Sequence, residues 1–474
     1  MPDRSPAQDN IRDHLGLGDA VSLIVGIVIG AGIYETAPLV FRCVGTPGAA
    51  MAVWLLGGLL SVIGALCYAE LATTYPRQGG DYYFLRRAFG PRTAYLFSWS
   101  ELTVVTSGSI GLMAFVFADY AVRLAGIAAS LSPWFAAGAI GILSFANIFG
   151  LRSGQRYQNL LTVLKIIGLA AIVGAGFFWP REHPAAIPAP EDPVTSAGWG
   201  LAMILVLYTY GGWNDAAFIV AEMKNKRRNI PQALLLGTAG VAVTYLLINA
   251  AYLNGLGFAA ARNSTAIAAD VLEGPLGHWG AQGMAILVMI SSLGALNGLI
   301  LTRARIYAAA GADFATFRIL GRWHPRWNTP ATAILVQMGI AIAMVLLLGP
   351  GPGRNLVERG LAAFGMAAPA WAGHGGFDTL LKCTAPVFWF FLLLTGLSLF
   401  VLRTRDRDRE RPFRVPLFPL IPGLFCATCA GMLISAIDFA GTLALFGAVP
   451  ALAGLIVFFG CEGRTPAPPA NPST

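Results

Sequence analysis

Apolar runs of about 20 residues, each long enough to cross a bilayer as a helix, recur about a dozen times along this chain. The apolar surplus is therefore not gathered into one core-sized block. Composition agrees: 56% of the 474 residues are hydrophobic and 12% are charged, against about 25% charged in an average soluble protein. The chain reads as an all-α membrane protein with about 12 transmembrane helices.

The spans fall at 17–40, 48–74, 94–122, 130–150, 157–179, 197–221, 232–257, 276–310, 330–350, 378–402, 417–438 and 440–461. Prolines such as Pro47, Pro76, Pro231, Pro330 and Pro416 sit at or beside span edges, where helices stop or start. The first run follows a polar, mixed-charge start and is too long for a signal-peptide core.

Loop charge sets the orientation. With the N-terminus cytoplasmic, inner segments hold 22 Lys and Arg residues and outer loops hold 6. Both termini are expected in the cytoplasm, as an N-terminal segment 1–16 and a tail 462–474. The net charge of +8 is then topological. No basic soluble domain accompanies it, so nucleic acid is not an expected partner. The basic run "RTRDRDRERPFR", 403–414, reads as a solvated cytoplasmic loop, with lipid headgroups as the alternative partner.

Cys426 and Cys429 lie one turn apart inside an apolar span and read as packing residues. The five histidines do not cluster, so no metal is expected, and no cofactor.

Two spans are interrupted. The first carries "VGIVIGAGIYETAP" and breaks at Gly30-Ala31-Gly32; the sixth carries "YTYGGWND" and breaks at Gly211-Gly212. Each break lies about 13 or 14 residues into its span, roughly 20 Å at 1.5 Å per residue, near the bilayer midplane. Glycine also serves close packing in membrane helices, and either cluster alone reads that way. Their matching positions, five spans apart, point instead to an inverted-repeat transporter. The first repeat would cover 17–179 and the second 197–402, with 417–461 as added helices. A break frees backbone N–H groups that favour a carboxylate and carbonyls that favour an ammonium. An α-amino acid carries both.

At these motifs the chain resembles a known family. "GIVIGAGIY", "GALCYAELATTYPRQGGDYYFLRRAFG" and "YTYGGWND…EMKNKRRNIPQA" resemble the amino acid–polyamine–organocation transporters, above all the L-type amino acid transporter branch and its bacterial relatives. The resemblance covers roughly residues 15–435. It implies the LeuT-like five-plus-five inverted repeat, with broken helices 1 and 6. It also implies a substrate carboxylate on the amides of Ala31 and Gly32, with Gly30 permitting the turn. The ammonium would meet carbonyls of Val28, Tyr208 and Thr209. Tyr208 would cap the site, with Gly211 in the unwound segment and Asn214 close by. Where the family commonly has serine, this chain has Ala31, which removes a hydroxyl contact and keeps the amide.

Lys165 in "LTVLKIIGLAA" lies about eight residues into span five, where a lysine costs about 2.5–3.5 kcal/mol to insert. In proton-driven members of the family a lysine here stands where sodium-driven relatives bind an ion. The resemblance implies proton coupling, with the ammonium tying the inner half of helix 1 to helix 8, where Ser291 and Ser292 would accept; bracing of helices is the alternative, and the depth argues against snorkelling. Glu101 reads as low in span three, pairing with an inner-loop arginine. Asp215, just after the second break, is open between accepting a cation, bonding backbone and carrying a proton. Glu35 reads as a solvated rim residue, and Arg303 and Arg305 as snorkelling to the cytoplasm.

The function expected is a secondary active amino acid transporter working by alternating access, with exchange, or transport of a polyamine or other organocation, as alternatives. An intramembrane enzyme would need a convergent nucleophile, base or metal set, and the spans carry no Ser/His/Asp or HExxH cluster. A channel would need a filter repeated about an axis. Animal L-type members join a heavy chain through a disulfide from the loop after span three. Here that loop, "RLAGIAASLS", has no cysteine, so no disulfide-linked partner is expected and the chain should work alone in the plasma membrane, as a monomer or weak homo-oligomer.

Overall fold

The first helix stops early. α1 (Leu17–Val28) ends where Ile29 leaves helical geometry at φ −76°, ψ 81°, and α2 (Gly32–Cys43) resumes at a bend of 50°. This computed structural model describes residues 15–149, 151–179, 196–264, 266–327, 329–349, 351–363 and 375–462. The start of the N-terminal segment and nearly all of the tail lie outside the described residues.

α3 (Pro47–Thr74) opens with the Thr46 hydroxyl accepting from the Ala49 amide at 3.2 Å and Pro47 in its first turn, the usual start signals of a helix. The short α4 (Asp81–Phe89) follows. α5 (Pro91–Ser100), a single π-turn at Glu101–Val105 and α6 (Thr106–Ala125) form one continuous span. Next come α7 (Ser132–Ile148) and α8 (Leu151–Phe178). α9 (Ser196–Thr209) gives way at Gly212, φ 107°, to a 3-10 segment, Trp213–Glu222.

α10 (Lys226–Asn263) is kinked at Gly257, φ 74°, where the hydropathy reading ends span seven. α11 (Ile267–Leu276), α12 (Gly280–Ala310), α13 (Ala331–Leu348), α14 (Pro352–Ala363), α15 (Gly376–Arg405), α16 (Leu420–Ala440) and α17 (Ala444–Val457) complete the chain. No strand occurs among the described residues. Among the described residues, nine helices are long and apolar enough to cross a membrane, or ten when the bent α1–α2 pair is one span. The sixth expected span is outside that count because its second half is 3-10 helix. Leu420–Glu462 counts once, although it turns at Gly441, φ 53°.

α1 is the hub. It packs against α8, α10, α12 and the 3-10 segment, and α2 packs against α9 and α10. Small residues set these distances: a Cβ added to Gly298 of α12 would stand 2.3 Å from Ile27 Cγ1. Outside the helices, Leu15 pairs with the strand-like stretch after the 3-10 segment, donating to Glu222 O and accepting from Lys224 N, both at 3.0 Å. The start of the first broken span and the end of the second are thus tied together.

The basic loop 403–414 is not a free solvated loop. Arg403 grips the buried Glu70 of α3 through Nε at 2.7 Å and through Nη2, and the Val415 amide donates to Glu70 Oε2 at 2.7 Å. Asp406 accepts from Arg87 Nε at 2.6 Å and from the Tyr75 hydroxyl at 2.6 Å. Of the interleaved acids that make the run look solvated, Asp406 supplies one of these two anchors.

Candidate functional site

The end of α1 leaves carbonyls without helical partners, and two buried side chains from other helices take them. Lys165 of α8 donates from Nζ to Gly26 O at 2.7 Å and to Ile29 O at 2.5 Å, and it is fully buried. Tyr245 of α10 donates its hydroxyl to Val28 O at 2.9 Å. The same hydroxyl lies 3.3 Å from Thr209 O at the end of α9.

At the start of α2 the amides of Ala31, Gly32 and Ile33 have no backbone acceptor among the described residues; the first amide returned to the chain is that of Tyr34, to Ala31 O at 3.0 Å. The two breaks meet here. A Cβ on Gly32 would stand 3.0 Å from Thr209 Cγ2, and a Cβ on Gly212 would stand 2.8 Å from Ile27 Cγ2. Gly30 lies against Met113 Sδ of α6, where a Cβ would meet it at 3.5 Å. The amides at the start of α2 and the carbonyls that end α1 and α9 therefore lie close together.

Not every expected residue reaches it. The Tyr208 carbonyl is used locally, accepting from the Gly211 amide at 3.1 Å, and the Tyr208 ring is half-buried. Gly211 and Asn214 line a small cavity of about 30 Å³, walled by Leu60, Trp389 and Phe425 on the side of α3, α15 and α16. Ser291 and Ser292 do not accept from Lys165. Ser291 bonds the Tyr34 hydroxyl at 3.2 Å, and Ser292 donates back to Val288 O at 2.9 Å. Lys165 meets α12 at a glycine instead: a Cβ on Gly294 would stand 3.1 Å from its Nζ. Glu35 is exposed, and its carboxylate faces the Tyr120 hydroxyl of α6.

The larger correction concerns the ions. Arg303 does not snorkel; its side chain is 4% exposed. It donates from Nη1 to Glu101 Oε2 at 2.7 Å and from Nη2 to Asp215 Oδ1 at 2.6 Å, with the Phe218 ring 5.0 Å away. Glu101 finds its arginine on α12, not on an inner loop, and Asp215 takes a protein cation. The π-turn supports this, because Thr106, just beyond it, donates to Glu101 Oε2 at 2.6 Å. Arg305 is likewise buried and holds both carboxylate oxygens of Glu222. Burial wins over snorkelling because each guanidinium has a carboxylate inside the bundle, and an unpaired one would have to reach water.

A model of the amino acid permease family matches residues 15–461. The chain belongs to that family. The serine/threonine exchanger SteT of Bacillus subtilis (strain 168) is 28% identical to this permease over 96% of the chain and 99% of its own length. The mouse b(0,+)-type amino acid transporter 1 is 31% identical over 87% of the chain and 80% of its own length. The human cystine/glutamate transporter is 27% identical over 90% and 81%. These relatives are transporters and not enzymes, so the permease is a multi-pass membrane protein of amino acid transport, as its motifs imply.

Two participants were not legible as such. Tyr245, in "AVTYLLINA", looks like any tyrosine in an apolar span. Arg303 does carry a signal, since "LTRARIY" places two arginines in a run otherwise strongly apolar; what the sequence lacks is their partners. No group of three or more His, Cys, Asp or Glu suited to a metal occurs among the described residues.

Proposed function

We propose that this permease is a secondary active amino acid transporter that works by alternating access. The observation that carries the reading is the meeting of the free Ala31–Ile33 amides with the carbonyls that end α1 and α9. The substrate carboxylate sits on the amides of Ala31 and Gly32, with Gly30 giving the chain room to turn. The ammonium takes carbonyls of Val28 and Thr209, with Tyr208 closing one side and Gly211 and Asn214 letting the second break flex. The twelve spans form two inverted sets of five plus a final pair, in the plasma membrane with both termini in the cytoplasm. The chain acts without a disulfide-linked heavy chain.

Lys165 is the proposed coupling group. It holds the end of α1 at the break through Gly26 O and Ile29 O, so its protonation state and the geometry of that end are one variable. A protonated amine holds the break closed; loss of the proton releases it. Pure exchange is the second reading, favoured by the relative whose name is serine/threonine exchanger.

Purified protein in liposomes separates these. Labelled uptake and counterflow are measured for each of the twenty amino acids. Absence of saturable uptake or counterflow for all of them rejects amino acid transport. Uptake into empty liposomes under an imposed pH gradient marks symport, and uptake only into preloaded liposomes marks exchange. Under symport, Lys165→Ala loses gradient-driven accumulation; unchanged accumulation rejects the coupling role.

A further inference from the structure

Asp81 is a buried carboxylate with no cation bonded to it. It begins α4, a nine-residue helix outside the candidate membrane spans, and it is 4% exposed. The Tyr68 hydroxyl of α3 donates to its Oδ2 at 2.9 Å. Its Oδ1 is buried without a hydrogen-bond partner. The first turn of a helix favours an anion, yet no amide donates to this carboxylate among the described residues.

Asp81 stands at the edge of the Arg303 cluster. Gly80, just before it, packs on the 3-10 segment: a Cβ there would stand 2.9 Å from Ala217 O and 2.9 Å from Phe218 Cδ1. Arg303 covers the same Phe218 ring. Tyr68 lies edge-on to Trp213, the first residue of the segment, at 5.1 Å. The charges that reach Asp81 are Glu101 of the π-turn, Arg303 of α12 and Asp215 of the 3-10 segment. Tyr307 of α12 faces Glu101 and Arg303.

Three carboxylates therefore share one guanidinium. Arg303 gives Nη1 to Glu101 and Nη2 to Asp215. Its Nε is buried without a partner and bonds none of them, and Asp215 Oδ2 is unpartnered like Asp81 Oδ1. A buried carboxylate without a cation or a full set of donors sheds its charge by taking a proton. Burial pushes the Asp81 carboxyl up to about 8, with the Tyr68 hydroxyl opposing the rise and the Glu101 charge adding to it.

We propose that Asp81 is a proton-binding site separate from Lys165, and that its proton keeps α4 packed on the 3-10 half of the sixth span. With the proton bound, two carboxylates and one guanidinium remain charged. Without it, a third negative charge stands unpaired among them, and like charges push α4 and the segment apart. The loop charges put α4 on the cytoplasmic side, so the proton exchanges with the cytoplasm and transport slows as the cytoplasm becomes more acid. The proton site stands independently of the transport reading; its effect on rate rests on that reading.

Asp81→Asn keeps an acceptor for Tyr68 and removes the titration. Infrared difference spectra of purified protein, taken between about pH 6 and about pH 9.5, test the site directly. Wild type should lose a protonated-carboxyl C=O band that moves on ¹³C-labelling of aspartate, and Asp81→Asn should lack it. A difference spectrum unchanged by the substitution overturns the proposal. A carboxyl raised in the folded state contributes stability that is complete below its unfolded value of about 3.9 and is lost as pH rises through the folded one. Wild type should therefore lose at least about 3 °C of melting temperature against Asp81→Asn between about pH 5 and about pH 8.5. A gap that is constant with pH overturns the proposal.

Glu101→Gln serves as a second variant that leaves Asp81 in place. It removes one negative charge from the field, so the band should vanish at least about half a pH unit lower than in wild type; an unmoved or higher midpoint overturns the proposal. Counterflow by the wild type should slow as pH falls, and Asp81→Asn, which mimics the protonated acid, should run at the low-pH rate throughout. Wild-type pH dependence in the variant overturns the link to transport. Absence of counterflow in the wild type at every pH rejects the transport reading instead, and the infrared band still decides the proton site.

Discussion

Arg303 and Asp215 meet at 2.6 Å with almost no solvent at either side chain, 4% and 0% exposed. The contact joins α12 to the 3-10 half of the broken sixth span, and the bond from Arg303 to Glu101 extends it to the π-turn before α6. Three elements, which the proposed alternating access would move past one another, are thus held by one guanidinium.

Removing that guanidinium strands two buried carboxylates. Breaking a buried ion pair from one side costs about 3–5 kcal/mol, so Arg303→Met should lower the melting temperature in detergent and abolish counterflow. Adding Glu101→Gln and Asp215→Asn should recover much of the stability, since an uncharged set no longer needs the cation. A single variant that melts like the wild type, or a triple variant no better than the single one, would reject this account.

Gly212 is held at φ 107° with Ile27 against the place of a Cβ, 2.8 Å away. Backbone of this kind costs a side chain about 1–3 kcal/mol, and here it also pushes on the α1 break. Gly212→Ala should therefore reduce uptake at least tenfold while the protein still inserts and purifies. Gly138, which has nothing within 4 Å of its Cβ position, is the control, and Gly138→Ala should transport normally. Equal uptake by the two variants would show that the second break tolerates a side chain.

Glu70, 1% exposed, holds Arg403, lies 3.5 Å from Arg411 and receives the Val415 amide. Glu70→Ala leaves the Arg403 charge unmatched, at a cost of about 3–5 kcal/mol for a buried partner. The expected outcome is a lower melting temperature and faster tryptic cleavage within 403–414. Cleavage at the wild-type rate would mean that the loop does not depend on this anchor.

The Arg87 guanidinium, with the Tyr75 hydroxyl, holds the Asp406 carboxyl below the usual carboxylate range. A depressed folded value stabilises the protein above the unfolded value of about 3.9 and is lost as pH falls through the folded one. The latch should therefore keep its full contribution from neutral pH down to about pH 5, with loss confined to more acid conditions. Asp406→Asn should lower the melting temperature at pH 7 by an amount consistent with about 1 kcal/mol or less, because Arg87 is 41% exposed and exposed pairs are screened. A wild-type–variant difference that vanishes already at pH 6 would contradict it.

The sequence alone determined where backbone continuity fails and which residues are costly. Hydropathy and glycine are local properties, so the breaks at Gly30–Gly32 and Gly211–Gly212 were readable from single stretches; the kink at Gly257 was not read, although span seven was ended there. Lys165 was readable for the same reason: a lysine deep in an apolar run must find acceptors wherever the chain folds. Which acceptors it finds is a different matter. Ser291 and Ser292 were reasonable by depth, yet the unpaired carbonyls of a broken helix are stronger acceptors than hydroxyls already bonded within the bundle. Arg303 shows the same division. Its burial depends on carboxylates 88 and 202 residues away in the chain. Tyr245 reaches Val28 O across 217 residues. A hydrogen bond or ion pair is decided by distances of a few ångströms between atoms that sequence order leaves free, and only the packing of α1 among α8, α10 and α12 brings them within reach.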